Sequence, residues 1–270
     1  MESIIQKVTV SFIVVVCLVT IGSSCSTSQL DFDLTTSGDK AVSKTDNFKY
    51  KEWTQISEGV EFKQMQADAA LGSELFSIVK FSPANNNLQI AVDTDNPLTV
   101  SEWRSKLGAT VVINASFFDE EFNLTTQTIV EGKVNGPLLS GKTAKASTTD
   151  GKRWIIAATQ DMAIKDYEYS IQSYPMLISN AVALVDDSSD DIAQRSVVAM
   201  DEDGLMYLII AETGMVTLQD VDDLILEDLD IPVTTALNLD GGTSTGISIL
   251  GADIVYENSS AVVPSVLYLP

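Results

Sequence analysis

From residue 48 onward, apolar and polar positions alternate in short runs separated by turn residues. "YKEWTQI", "VEFKQM", "ELFSIVKF" and "LQIAV" combine β-branched and aromatic residues in the pattern of half-buried strands. "SVVAMDEDGLMYLIIA" places two continuous apolar runs around "DEDG", which predicts a hairpin turning at Asp203-Gly204. Two segments carry helical spacing instead. In "TVSEWRSKLG", Thr99 stands three residues before Glu102, the capping-box arrangement. Val100, Trp103 and Leu107 then share one face, and Gly108 suits a left-handed stop. "TLQDVDDLILEDL" repeats the scheme, with Thr217 and Asp220 as the cap and Leu218, Val221, Ile225 and Leu229 as the stripe. Many strands and few helices predict an α+β fold, a strand-rich mixed-sheet domain.

Each helix leads into a short apolar strand that ends in asparagine. The first gives "ATVVINASFFD" with Asn114, the second "TTALNLDGGTST" with Asn238. Both strands then break into small or polar residues. Two helix–strand–polar-loop units in one domain could bring both loops to one edge. Alternatively the two units are alike only because helix–strand units often are.

The N-terminus has a different composition. Lys7 is followed by a 14-residue apolar run, "VTVSFIVVVCLVTI", and then by "GSSC". The run suits the core of an export signal and is short for a membrane span, which needs ~18 residues or more. Cys25 follows Gly22, Ser23 and Ser24, an arrangement that resembles a bacterial lipobox, although Gly22 stands where leucine is usual. Cys17 would leave with the signal, so Cys25 has no disulfide partner and reads as a lipidation site; ordinary signal cleavage is the other reading. Residues 26–47 are rich in Ser, Thr, Asp and Lys, as in a flexible tether. The boundaries are therefore 1–24 for a signal peptide, 25–47 for a lipid-anchored tether and 48–270 for one domain.

Charge and composition narrow the chemistry. The 270 residues are 45% hydrophobic, enough for a large core. Sixteen basic against 38 acidic side chains leave a net charge of −22, which repels phosphate backbones and argues against nucleic acid as a partner. There is no histidine, so neither a Ser-His-Asp triad nor a histidine metal site can exist. The acidic stretches "DEE" (119–121) and "DDSSDD" (186–191) offer oxygen ligands for Ca²⁺ without EF-hand spacing. Solvated loops are the alternative there, and no cofactor is required.

The stretch "ALNLDGGTSTGI" (236–247) interrupts an apolar segment with an amide, a carboxylate, two adjacent glycines and three hydroxyls. Adjacent glycines weaken a strand and are retained where backbone must bend or approach something closely. Their free N–H groups can cradle an anion, with Thr243, Ser244 and Thr245 adding hydroxyl donors. A simple turn closed by an Asx-type bond from Asp240 is the other reading.

At this point the chain resembles the phosphodiester glycosidase family. "NLDGGTST" looks like that family's most specific motif. "VVINASFFD", "TIVEGKVNGPLL", "YPMLI", "QRSVVAMDEDG" and "LIIAETG" resemble its other segments in the family's order. The resemblance spans roughly residues 60–269. It implies hydrolysis of a sugar-1-phosphodiester on a surface glycan or a related extracellular molecule, by a protein of the bacterial cell envelope. It marks Asn114, Arg195, Asn238, Asp240, Gly241, Gly242, Thr243 and Ser244 as site residues, with Glu212 where many members carry Asp before Gly. Two departures stand out. Ala115-Ser116 replaces glycines common in relatives, and Ala261 occupies about the place where relatives often carry Arg.

The residues fit that implication. A phosphodiester needs a cation, and the chain has three arginines. Arg104 lies on a predicted helix facing solvent, and Arg153 enters a strand from a turn. Arg195 opens an apolar run, where its charge needs a partner or a ligand; its planar fork suits phosphate. Glycosidic cleavage usually employs two carboxyl groups, here Asp240 and Glu212 as the catalytic pair, with Asn114 and Asn238 binding sugar hydroxyls or orienting Asp240; capping of strand ends is the other reading for the two amides. Phosphate is already a good leaving group, so one carboxylate with Arg195 and the Gly241–Gly242 loop could suffice. Phe117 and Phe118 serve either sugar stacking or core packing. The rival function is a non-catalytic glycan-binding envelope lipoprotein with a degenerate pocket.

Overall fold

The computed structural model describes residues 48–69, 71–162, 166–186, 191–258 and 261–270. The predicted signal segment, tether and Cys25 lie outside the described residues, as does the middle of "DDSSDD". Among the described residues, three antiparallel sheets and two α-helices, α1 (Val100–Leu107) and α2 (Leu218–Glu227), make up the fold. It is the strand-rich α+β class expected, with no parallel pair among the described residues.

The largest sheet has eight strands, in the order Thr54–Ser57, Val60–Ala69, Gly72–Phe81, Met206–Val216, Ala193–Asp201, Val233–Asn238, Met176–Ser179 and Val182–Ala183. Its central strands are apolar on both faces because both faces are covered. Met206, Leu208 and Ile210 point into a core shared with the two smaller sheets. Tyr207, Ile209 and Ala211 alternate with them and meet α2, whose Val221, Leu224 and Ile225 are buried. This two-sided burial is why "SVVAMDEDGLMYLIIA" reads as continuous apolar runs. Its hairpin turns as expected, with Gly204 at φ +81°.

One five-stranded sheet runs Val255–Asn258, Ile247–Leu250, Val111–Asn114, Ser265–Leu269 and Gln89–Val92; the other runs Lys133–Asn135, Thr128–Val130, Tyr169–Ser173, Ala144–Thr148 and Trp154–Ala158. Helix α1 covers the first of these through Val100 and Trp103, and Trp103 Nε1 donates to the Val263 carbonyl at 2.9 Å. Both helices begin with the capping boxes read from the sequence, at Thr99/Glu102 and Thr217/Asp220, and Gly108 ends α1 at φ +61°. Arg104 departs from expectation. Its Nε donates to Ser248 Oγ at 2.9 Å, so the guanidinium ties α1 to the sheet instead of facing water.

Candidate active site

The two strands that end in asparagine belong to different sheets, yet their ends meet. Val111–Asn114 ends the middle strand of a five-stranded sheet, and Val233–Asn238 lies inside the eight-stranded one. The Asp240 N–H donates to the Ala115 carbonyl at 3.0 Å, and Asn114 Nδ2 donates to the Asp240 carbonyl at 2.6 Å. The two polar loops therefore share one edge, across the seam between sheets.

A cavity of about 290 Å³ opens at this seam, lined by Phe117, Tyr174, Pro175, Arg195, Asn238 and Asp240 with Gly241 and Leu218 at its margin. Strand alternation explains the convergence. Arg195 pairs with Ala211 and Asn238 with Val197, and both partners lie on the helix-facing side of the eight-stranded sheet. Arg195 and Asn238 consequently project from that same side, near the start of α2. Phe117 and Tyr174 stack at a centroid distance of 4.7 Å, and Tyr174 is 40% exposed, so the pair forms a flat aromatic wall of the cavity.

Three polar groups on this cavity have unspent capacity or altered acidity. Arg195 Nη2 donates to the Asp191 carbonyl at 2.6 Å, while its buried Nε has no partner. Burial lowers the Arg195 pKa, with Asp191 opposing, so the cation is held where an anion is favoured. Asn238 is 4% exposed; its Nδ2 donates to the Tyr174 carbonyl at 2.9 Å, and its buried Oδ1 accepts nothing. Asp240 Oδ1 accepts from the Gly241 N–H at 2.9 Å. Desolvation pushes the Asp240 carboxyl up to about 6, against the opposing hydrogen bonds from Ser244 and Gly241.

The glycines have separate reasons to be there. A Cβ on Gly241 would sit 2.9 Å from the Gln194 carbonyl and 3.7 Å from Arg195 Cδ, so the loop packs directly on the strand carrying Arg195. Gly242 adopts φ +61° and starts a 3₁₀ turn, Gly242–Ser244. Ser244 is buried beside Asp240, whereas Thr243 is exposed; neither they nor Gly242 line the cavity. The Ala261 N–H donates to the Thr243 carbonyl at 2.8 Å, which sets residue 261 against this loop.

Asn114 and Glu212 do not present their side chains to the cavity. Asn114 is fully buried, and its amide is spent on protein: Oδ1 accepts from Ser196 Oγ at 2.6 Å and the Gly246 N–H at 3.2 Å, while Nδ2 holds Asp240. Buried behind these partners, Asn114 does not line the cavity. Glu212 does not line the cavity. It follows Ala211 in its strand and so leaves from the opposite face of the sheet. There Tyr256 Oη donates to it at 2.6 Å and Asn258 Nδ2 at 2.9 Å. Burial raises the Glu212 pKa, and hydrogen bonds from Ser77, Tyr256 and Asn258 oppose the rise.

Phe117 lines the cavity and stacks on Tyr174, whereas Phe118 packs against Phe122 and the α1 cluster. Tyr174 was visible in sequence only as part of "YPMLI". In the first acidic stretch, Asp119 Oδ1 is occupied within its own turn by the Glu121 and Asn123 N–H groups. Among the described residues no three His, Cys, Asp or Glu side chains converge as a metal site.

The phosphodiester glycosidase family profile matches residues 107–269, a span that contains every wall of this cavity. The chain belongs to that family, and it is a phosphodiester glycosidase-like enzyme. Among solved structures it is similar to the catalytic domain of zebrafish N-acetylglucosamine-1-phosphodiester alpha-N-acetylglucosaminidase, auto-inhibited by its pro-peptide. The TM-score is 0.63 at 14% identity, over 82% of this chain and 86% of that one. A hypothetical protein from Synechocystis superposes with a TM-score of 0.59 at 14% identity, over 79% of this chain and 62% of that one. At such identities the likeness is one of fold. A search of curated proteins returns no match.

Proposed function

We propose that this protein is an exported hydrolase that cleaves a sugar-1-phosphodiester on a surface glycan or related extracellular molecule, using Asp240 and Arg195. The observation that carries the proposal is the single cavity holding Asp240, the orphaned Arg195 Nε, the orphaned Asn238 Oδ1 and an aromatic rim. Arg195 takes the phosphate by charge and its free N–H. Asn238 Oδ1 accepts from a sugar hydroxyl or amide, and the Phe117–Tyr174 pair supports the ring. Asp240 is the general base, since a carboxyl near 6 accepts a proton better than an ordinary aspartate while still ionised at neutral pH. Water attacks the anomeric carbon and gives its proton to Asp240. The bond from that carbon to the phosphate oxygen breaks, and the phosphomonoester leaves with the electron pair. Its low basicity makes a second carboxyl acid dispensable, consistent with the position of Glu212 away from the cavity. Gly241 flanks the phosphate, and Gly242, Thr243 and Ser244 continue its loop outside the cavity. The apolar run before Cys25 supports export, with lipid on Cys25 anchoring the domain to the cell envelope through residues 26–47.

The test is turnover of a chromogenic sugar-1-phosphodiester by the wild type, Asp240→Asn and Arg195→Ala. Turnover lost in Asp240→Asn, and KM raised in Arg195→Ala, support the proposal. Equal traces in all three refute it. One observation favours a second reading, a glycan-binding protein without turnover: Ala261 offers no side-chain cation where it adjoins the Thr243 loop. Retained glycan binding with no turnover in the wild type selects that reading.

A further inference from the structure

Resting on that reading of Asp240, we infer that Ser196, which never touches the cavity, is a positioning residue that sets the catalytic aspartate through Asn114. Ser196 is fully buried on the strand Ala193–Asp201, one residue after Arg195. The two side chains leave opposite faces of the sheet: Arg195 pairs with Ala211 on the helix side, and Ser196 pairs with Ile210 on the core side. One strand therefore references both the cation and the acid.

The link from Ser196 to Asp240 has two branches. Through its main chain, the Ser196 carbonyl accepts the Leu239 N–H at 2.8 Å, fixing the residue just before Asp240. Through its side chain, Ser196 Oγ donates to Asn114 Oδ1 at 2.6 Å, with Gly246 N–H as the second donor to the same oxygen. Two donors on one oxygen leave the amide a single orientation. Nδ2 must then face the Asp240 carbonyl, which it does at 2.6 Å. The peptide of Asp240 is clamped from its other side by the Ala115 carbonyl. All three side-chain hydrogen bonds on Asn114 serve the loop, so the buried amide is a bracket, and Ser196 decides which way it points. The carboxylate of Asp240 inherits its place from that bracket.

The experiment compares Ser196→Ala, Asn114→Asp and Asp240→Asn with the wild-type chain on the chromogenic sugar-1-phosphodiester across pH 4 to 9. Asn114→Asp keeps the shape and the acceptor but turns a carboxylate oxygen toward the Asp240 carbonyl. Positioning predicts that kcat falls on the order of tenfold in Ser196→Ala and further in Asn114→Asp, since small misplacements of a catalytic group cost that much. KM stays within about twofold because neither residue meets substrate. The acidic limb moves to lower pH as Asp240 gains water. The other titratable side chains on the cavity are Arg195 and Tyr174. Wild-type kcat and limb in Ser196→Ala overturn the inference. A lowered thermal midpoint with loss of active fraction but an unmoved limb also overturns it, since that is a structural role alone. Full turnover in Asp240→Asn instead overturns the reading of Asp240 itself, and the inference falls with it.

Discussion

The sharpest consequence of the site concerns stability, because Asp240 is held where its charge is unwelcome. Desolvation raises its carboxyl from the ordinary 3.8 to about 6. At 1.36 kcal/mol per pH unit, that gap is worth ~3 kcal/mol between the protonated and ionised forms. The folded value lies above the unfolded one, so the folded state binds this proton more tightly. The resulting stabilisation is complete below the unfolded value and is lost as pH rises through about 6. At pH 8 the wild type therefore carries the full cost of an ionised Asp240, and Asp240→Asn does not. Asparagine keeps an acceptor for the Gly241 N–H. Replacement should raise the thermal midpoint at pH 8 by about 6–12 °C, at roughly 2–4 °C per kcal/mol for a domain of this size. At pH 4 the two proteins should melt within about a degree or two of each other, because the wild-type carboxyl is then mostly protonated. Asp222 and Glu212 also have raised values, and both are present in the two proteins, so they cancel in the comparison. Calorimetric melts at the two pH values, with turnover measured in parallel, check this. An Asp240→Asn protein that melts lower than wild type at pH 8, or equally displaced at both pH values, refutes the account of a strained, desolvated base.

Three other expectations follow from the same geometry. Gly241→Ala places a methyl 2.9 Å from the Gln194 carbonyl and beside Arg195; it should cost about 1–3 kcal/mol in overpacking and lower kcat/KM by at least tenfold, read from denaturation and initial rates. Arg195→Lys keeps the charge and loses the planar fork and its free Nε–H, so KM for the phosphodiester should rise more than kcat falls, with stronger salt dependence than wild type. Dialysis against EDTA should leave kcat unchanged, because the cavity presents one carboxylate and a guanidinium, a lining suited to an anion; loss of activity restored by Ca²⁺ would refute it.

Much of the scaffold is legible in the sequence where local chemistry decides it. Both capping boxes depend on residues three apart, and Gly108 depends on one dihedral angle, so the helices stand where Thr99 and Thr217 place them. The hairpin at Asp203-Gly204 is equally local. The convergence of Arg195, Asn238 and Asp240 was reached through the family pattern together with the need of Arg195 for a partner. What stayed hidden depends on register. Ala211 and Glu212 are neighbours in sequence, yet alternation sends one toward α2 and the other toward Tyr256, and a shift in the pairing beyond Arg195 cannot be counted from composition. The sequence leaves Asn114 open between sugar hydroxyls and Asp240, and the structure puts its Nδ2 on the Asp240 carbonyl. Its other partners, Ser196 and Gly246, lie 82 and 132 residues away and come from other strands and loops. Asp222 is another case. Its helical spacing, four after Leu218 and three before Ile225, puts a carboxylate on the apolar face, and only the fold shows what it meets there: it is fully buried and accepts from the Leu184 and Val185 N–H groups.

The contact between residue 261 and the Thr243 loop runs through a peptide N–H and not through a side chain. Any amino acid except proline can supply that N–H, so the identity of the residue is uncoupled from the integrity of the loop. A side chain can therefore be exchanged at 261 without removing the bond that ties this peptide to the Thr243 loop.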